Sequence, residues 1–123
     1  MIHGIGIDIV RVERIRDAVG KWGPRFLRKV FTGNEISHCY EKKNPFPSLS
    51  VRFAAKEALI KAVGLRMSAY TDMEILNDTY GRPFVKPAGK FEGFLKENSL
   101  RASHVSMSHE WDYAIAFVIL EKE

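Results

Sequence analysis

A chain of 123 residues has room for one sizeable hydrophobic core but not two, so a single domain over residues 1–123 is expected. Hydrophobic residues make up 46% and charged residues 28%, ordinary for a soluble globular protein. No long apolar run marks a membrane span, and the lone Cys39 excludes a disulfide framework or a zinc cluster. The formal charge of +4 is concentrated: residues 11–29 hold Arg11, Arg14, Arg16, Lys21, Arg25, Arg28 and Lys29 against Glu13 and Asp17, a net +5.

Met1-Ile-His-Gly-Ile-Gly-Ile-Asp-Ile-Val10 reads as a strand, with Ile5, Ile7 and Ile9 on one face and Gly4, Gly6 and Asp8 on the other. Aspartate is depleted in strands and glycine weakens them, so the second face has no packing logic of its own. Two missing side chains beside a carboxylate leave room for a ligand to approach. A bulge, with Asp8 capping the next helix, is the plainer alternative. The segment lacks the basic and apolar regions of a signal peptide, and with a lone cysteine a reducing, cytoplasmic setting is expected.

Val12 to Val19 reads as a helix broken by Gly20 and Gly23-Pro24, and Arg25 to Phe31 as a second short one. Val12, Ile15 and Val19 form its buried stripe, which turns several arginines to solvent. Such a face attracts an acidic partner: nucleic acid, lipid head groups or an acidic protein. Thr32-Gly-Asn-Glu35 fits a capping box opening a helix to about Lys43, and Asn44-Pro45-Phe46-Pro47 interrupts.

Phe53-Ala-Ala-Lys-Glu-Ala-Leu-Ile-Lys-Ala62 belongs to a long alanine-rich helix that Gly64 ends. Helical spacing puts Phe53, Glu57 and Lys61 on one narrow face, beside an apolar stripe of Val51, Ala55, Ala58, Leu59 and Ala62. Glu57 followed by Lys61 also suits an exposed ion pair worth about 0.3 kcal/mol. Residues 64–79 carry no recognisable motif. Glu74-Ile-Leu and Pro83-Phe-Val-Lys86 read as strands around an Asp78-Thr-Tyr-Gly81 turn, and Phe91 to Asn98 as a helix. Ser103 to Ser108 and Tyr113 to Leu120 form a hairpin around His109-Glu-Trp-Asp112. The order indicates an α+β fold, helices packed on a small antiparallel sheet. Both faces of the last strand are apolar, so either helices cover both sides or a second subunit covers one.

Four segments in this order, Gly4-Ile-Gly-Ile-Asp8, Phe53 to Ala62, Gly81-Arg82-Pro83, and Ser108-His109 with Tyr113-Ala-Ile-Ala116, resemble one family across essentially the whole chain. The chain resembles holo-[acyl-carrier-protein] synthases, the short bacterial type of 4'-phosphopantetheinyl transferase. The resemblance implies that fold, and transfer of 4'-phosphopantetheine from coenzyme A to a serine of an apo acyl carrier protein, releasing adenosine 3',5'-bisphosphate for fatty acid biosynthesis. It further implies a homotrimer with sites between subunits, and it selects an acidic carrier protein, rather than nucleic acid or a membrane, as the partner of the basic face. Arg14, Arg25 and Arg28 are the expected docking residues.

Attack on a pyrophosphate that already carries negative charge calls for positioning and charge neutralisation. Asp8 and Glu57 match the family's magnesium ligands, and magnesium suits two carboxylates with waters and a substrate phosphate. Lys61 can hold a phosphate or the leaving-group charge, and either Glu57 or a water on the metal can take the serine proton. Lys56, Gly81, Arg82, Pro83, Ser108 and His109 are further coenzyme A candidates. Lys56 can instead face solvent, Gly81-Arg82-Pro83 can be a plain turn, and His109 can be structural. A basic nucleic-acid-binding module would leave Asp8 and Glu57 unexplained and lacks an RNP-like or zinc-finger pattern. A non-catalytic trimeric scaffold would explain only the last strand.

Overall fold

The structure, a computed structural model, describes residues 1–64 and 68–123, so residues 65–67 of the motif-free segment lie outside the described residues. Strand β1 (Ile2–Arg11) leads into helices α1 (Val12–Trp22), α2 (Pro24–Val30), α3 (Gly33–Tyr40) and the long α4 (Phe46–Val63). A short 3-10 turn, Tyr70–Asp72, precedes β2 (Met73–Asn77) and β3 (Pro83–Pro87). Helix α5 (Gly89–Glu97) and the hairpin of β4 (Leu100–Glu110) and β5 (Tyr113–Lys122) follow. β5 lies between β1 and β4 and is antiparallel to both, while β2 and β3 form a separate antiparallel pair. This is the expected α+β arrangement.

The helix boundaries follow local chemistry. Helix α1 passes through Gly20, because one exposed glycine costs only about 1 kcal/mol. It stops at Gly23, whose φ is +57° and which is followed by Pro24 at the first position of α2. The capping box of α3 is present in both directions: Thr32 Oγ1 accepts from Glu35 N–H at 3.2 Å, and Glu35 Oε1 accepts from Thr32 N–H at 2.8 Å. Helix α3 ends at Tyr40, short of Lys43, in tight i→i+3 bonds from the N–H groups of Glu41 and Lys42. Pro47 sits in the first turn of α4, where a missing N–H breaks no helical bond.

Helix α4 is buried nearly all round, not along one stripe: Leu49, Ser50, Ala54, Ala55, Ala58 and Leu59 are all inaccessible. It packs between the inner face of the sheet and α1, α3 and β2. The glycines of β1 exist for this contact. A Cβ at Gly6 would fall into the carbonyl oxygen of Ala58, and one at Gly4 into that of Ala62. The space expected for a ligand is therefore filled by the α4 backbone, and the close approach carries Asp8, next on the same face, onto the helix.

Ala114, Ala116, Val118 and Leu120 of β5 complete this inner face. The opposite face stays open within the chain. Ile7 is 53% exposed, Ile9 61% and Phe117 37%, with Ile5, Tyr113 and Ile115 beside them. Among the described residues, helices thus cover one side of the sheet only. No described helix is long and apolar enough to cross a membrane.

Candidate active site

Glu57 and Lys61 stand one turn apart on α4, and β1 brings Asp8 to Lys61. Lys61 Nζ donates to Asp8 Oδ1 at 3.0 Å and to the Ile7 carbonyl at 2.9 Å, so its ion-pair partner across the contact is Asp8. Glu57 Oε1 accepts from the Tyr70 hydroxyl at 2.9 Å. Asp8 and Glu57 are half-buried and Lys61 is exposed, which leaves the cluster open to a ligand. Among the described residues, no three His, Cys, Asp or Glu side chains gather as a metal site. Asp8 and Glu57 are the two carboxylates of the cluster. An all-oxygen donor set of that size fits a magnesium ion that keeps waters and takes a substrate phosphate.

A second cluster surrounds a hollow of about 310 Å³. Gly81 and Pro83 line it from the β2–β3 turn, Ser108 and His109 from the end of β4, and Arg52, Lys42 and His38 from α4 and around α3. Arg52 is buried, and its guanidinium donates to Ser48 Oγ at 2.8 Å and to Asn77 Oδ1. Among the described residues, its Nε–H is a buried donor with no acceptor. Asn77 in turn donates to the Gly81 carbonyl at 3.0 Å, while Asp78 Oδ1 accepts from the N–H groups of Tyr80 and Arg82. Gly81 has φ of +83°, so the turn requires a glycine and the hollow gains a side-chain-free wall. Burial, then the charges of Arg52 and Lys42, push the His38 imidazole below its ordinary value. Such a hollow, with the cations of Arg52 and Lys42 in its lining, favours an anion.

The expected residues thus fall into two groups. Asp8, Glu57 and Lys61 come together on one side of α4, and Gly81, Pro83, Ser108 and His109 at the hollow. Arg82 is exposed and does not line the hollow. Lys56 corrects the sequence reading. It is fully buried, and its Nζ donates to Glu35 Oε1 at 2.7 Å and to the carbonyls of Val30 and Tyr70 at 2.8 and 3.1 Å. It does not face solvent, the alternative read from the sequence, because α2, α3 and the Tyr70 turn pack over it. Arg52, Lys42, His38 and Asn77 were missed. The available signal for Arg52 was an arginine set between apolar residues of a buried helix.

Arg14, Arg25 and Arg28 are exposed on α1 and α2, as expected. Arg14 also lies over the Phe53 ring, 5.4 Å from its centroid, so the basic face borders α4 one turn from Glu57. Ser108 pairs with Ile115 on the open side of the sheet and also lines the hollow. The hollow and the uncovered apolar face therefore share an edge.

Residues 4–118 match the model of the 4'-phosphopantetheinyl transferase superfamily. The chain is 45% identical over 124 residues to the holo-[acyl-carrier-protein] synthase of Halothermothrix orenii, covering 99% of each chain. The crystal structure of holo-[acyl-carrier-protein] synthase from Neisseria meningitidis superposes with a TM-score of 0.91 at 35% identity, over 99% of this chain and 100% of that one. The Bacillus anthracis holo-(acyl-carrier-protein) synthase in complex with CoA (3',5'-ADP) gives a TM-score of 0.82 at 33% identity, over 100% and 99%.

Proposed function

The chain belongs to the holo-[acyl-carrier-protein] synthases of the 4'-phosphopantetheinyl transferase superfamily, and we propose that it uses magnesium and coenzyme A to modify a serine of an acidic acyl carrier protein. The whole of residues 1–123 serves as one domain for this reaction, in the cytoplasm and for fatty acid biosynthesis. The observation that carries the reading is the meeting of Asp8 with Lys61, one turn from Glu57, at a sheet–helix contact opened by Gly4 and Gly6. Asp8 and Glu57 would hold the magnesium, which supplies positive charge against the pyrophosphate oxygens.

The protein groups do the rest. The serine Oγ–phosphorus bond forms as the pyrophosphate P–O bond breaks, and adenosine 3',5'-bisphosphate leaves. Lys61 supplies an exposed ammonium for the phosphate or the leaving-group charge. Glu57 is the acceptor proposed for the serine proton, directly or through water. A relative of the same fold was solved with CoA (3',5'-ADP), and the hollow bounded by Arg52, Lys42, Gly81 and His109 has the cations and the open wall that such a nucleotide requires. Ser108 lies where this hollow meets the open apolar face, which supports a homotrimer whose sites are completed between neighbours.

The test is to incubate the protein with coenzyme A, magnesium and an apo acyl carrier protein and weigh the carrier. A mass gain of one phosphopantetheine arm is expected, lost with excess chelator and nearly abolished in Asp8→Ala and Glu57→Ala. Full activity in either variant would overturn the assignment of the two carboxylates.

A further inference from the structure

Tyr70 is gripped by consecutive residues of α4. The Lys56 ammonium donates to its carbonyl at 3.1 Å, and Glu57 Oε1 accepts from its hydroxyl at 2.9 Å. Its ring packs on Phe53 with centroids 5.7 Å apart. Lys56 is itself fixed from below by Glu35 and the Val30 carbonyl, so the main chain of Tyr70 rests on a buried and fully bonded support. From that support the hydroxyl reaches the carboxylate of the cluster. A glutamate has three side-chain torsions and ordinarily samples many rotamers. A hydroxyl donated from a fixed ring restricts them.

We infer that Tyr70 is a positioning residue that orients the Glu57 carboxylate for a divalent cation, an inference that rests on the reading of Glu57 as a metal ligand. Partners that orient a ligand carboxylate typically account for about 10–100-fold in metal affinity. Tyr70→Phe removes the hydroxyl and keeps the Phe53 contact and the Lys56 bond, which need only the ring and the carbonyl.

The experiment titrates manganese ion into the full-length protein with coenzyme A present and reads free and bound ion by electron paramagnetic resonance. Wild type, Tyr70→Phe, Glu57→Gln and Phe53→Leu are compared, with thermal unfolding recorded for each. Tyr70→Phe should bind manganese about tenfold more weakly with an unchanged Tm, and should raise the magnesium needed for half-maximal turnover without raising the KM for coenzyme A. Wild-type manganese affinity in Tyr70→Phe, beside a loss in Glu57→Gln, would overturn the role of Tyr70 alone. Undiminished binding in Glu57→Gln would overturn the reading of Glu57 beneath it. An equal loss in Phe53→Leu would assign the effect to packing and overturn the positioning role.

Discussion

Lys56 Nζ lies 2.7 Å from Glu35 Oε1 with both side chains fully buried, so consecutive residues of α4 have opposite fates, Lys56 in the core and Glu57 at the site. Glu35 also accepts from the N–H groups of Thr32 and Ile75, which makes the pair a junction of α2, α3, α4 and β2. Removing one member of a buried pair leaves a charge without compensation, at a cost of about 3–5 kcal/mol. Lys56→Met should therefore lower stability by about 3 kcal/mol, read from the denaturant midpoint. A loss below about 1 kcal/mol would show that the pair is dispensable.

The same lysine makes stability depend on alkaline pH. Burial pulls its ammonium below the ordinary value, with Glu35 opposing the pull. Between the lowered folded value and the ordinary 10.5, the unfolded chain holds a proton that the folded chain has released, so stability rises with pH across that window. The contribution is fully present above the ordinary value and lost as pH falls through the folded one. The stability difference between wild type and Lys56→Met should thus grow in favour of wild type as pH rises toward the ordinary value of 10.5. A difference that shrinks would contradict the direction.

Gly6→Ala tests the sheet–helix contact. Its methyl group would meet the Ala58 carbonyl, a backbone atom that moves only with the whole of α4. A cost of at least about 3 kcal/mol is expected, together with loss of activity in the fraction that still folds, because Asp8 is displaced from Lys61. Wild-type Tm and turnover in the Gly6→Ala protein would refute the account.

The open face of the sheet should be an interface between copies of this chain. Ile7→Glu, on the exposed side of β1, places a charge there without touching the inner face. Wild type should scatter light as a trimer, and Ile7→Glu as a monomer with little activity and intact secondary structure. An active monomer in wild type at assay concentration would remove the proposal.

Carrier docking is expected to depend on Arg14. Arg14→Glu should raise the apparent KM for the carrier protein about tenfold while leaving that for coenzyme A unchanged, and the defect should shrink as salt screens the wild-type attraction. Because Arg14 also lies over Phe53, Arg14→Lys separates charge from stacking. Near-normal carrier KM in that variant assigns the effect to charge. A selective rise in coenzyme A KM in Arg14→Glu would move the docking face elsewhere.

Several local signals were legible along the chain: the Thr32–Glu35 capping box, the stop at Gly64, the strand alternation of β1 and β5, and the one-turn spacing of Glu57 and Lys61. Each depends on residues within a turn or two of one another, where propensity and periodicity act. Resemblance to a family then tied Asp8 to Glu57. Periodicity assigns an angle around a helix but says nothing of what packs there, so Lys56 could be placed beside Glu57 without revealing that α2, α3 and Tyr70 cover it. Gly4 and Gly6 announced a close approach, and only the packed structure shows that α4 is what approaches. Arg52 became a candidate only when the turn holding Asn77 and Gly81 folded against α4. Burial and pairing between residues distant in the chain are decided by tertiary contacts, because their free energy depends on elements that no local pattern contains.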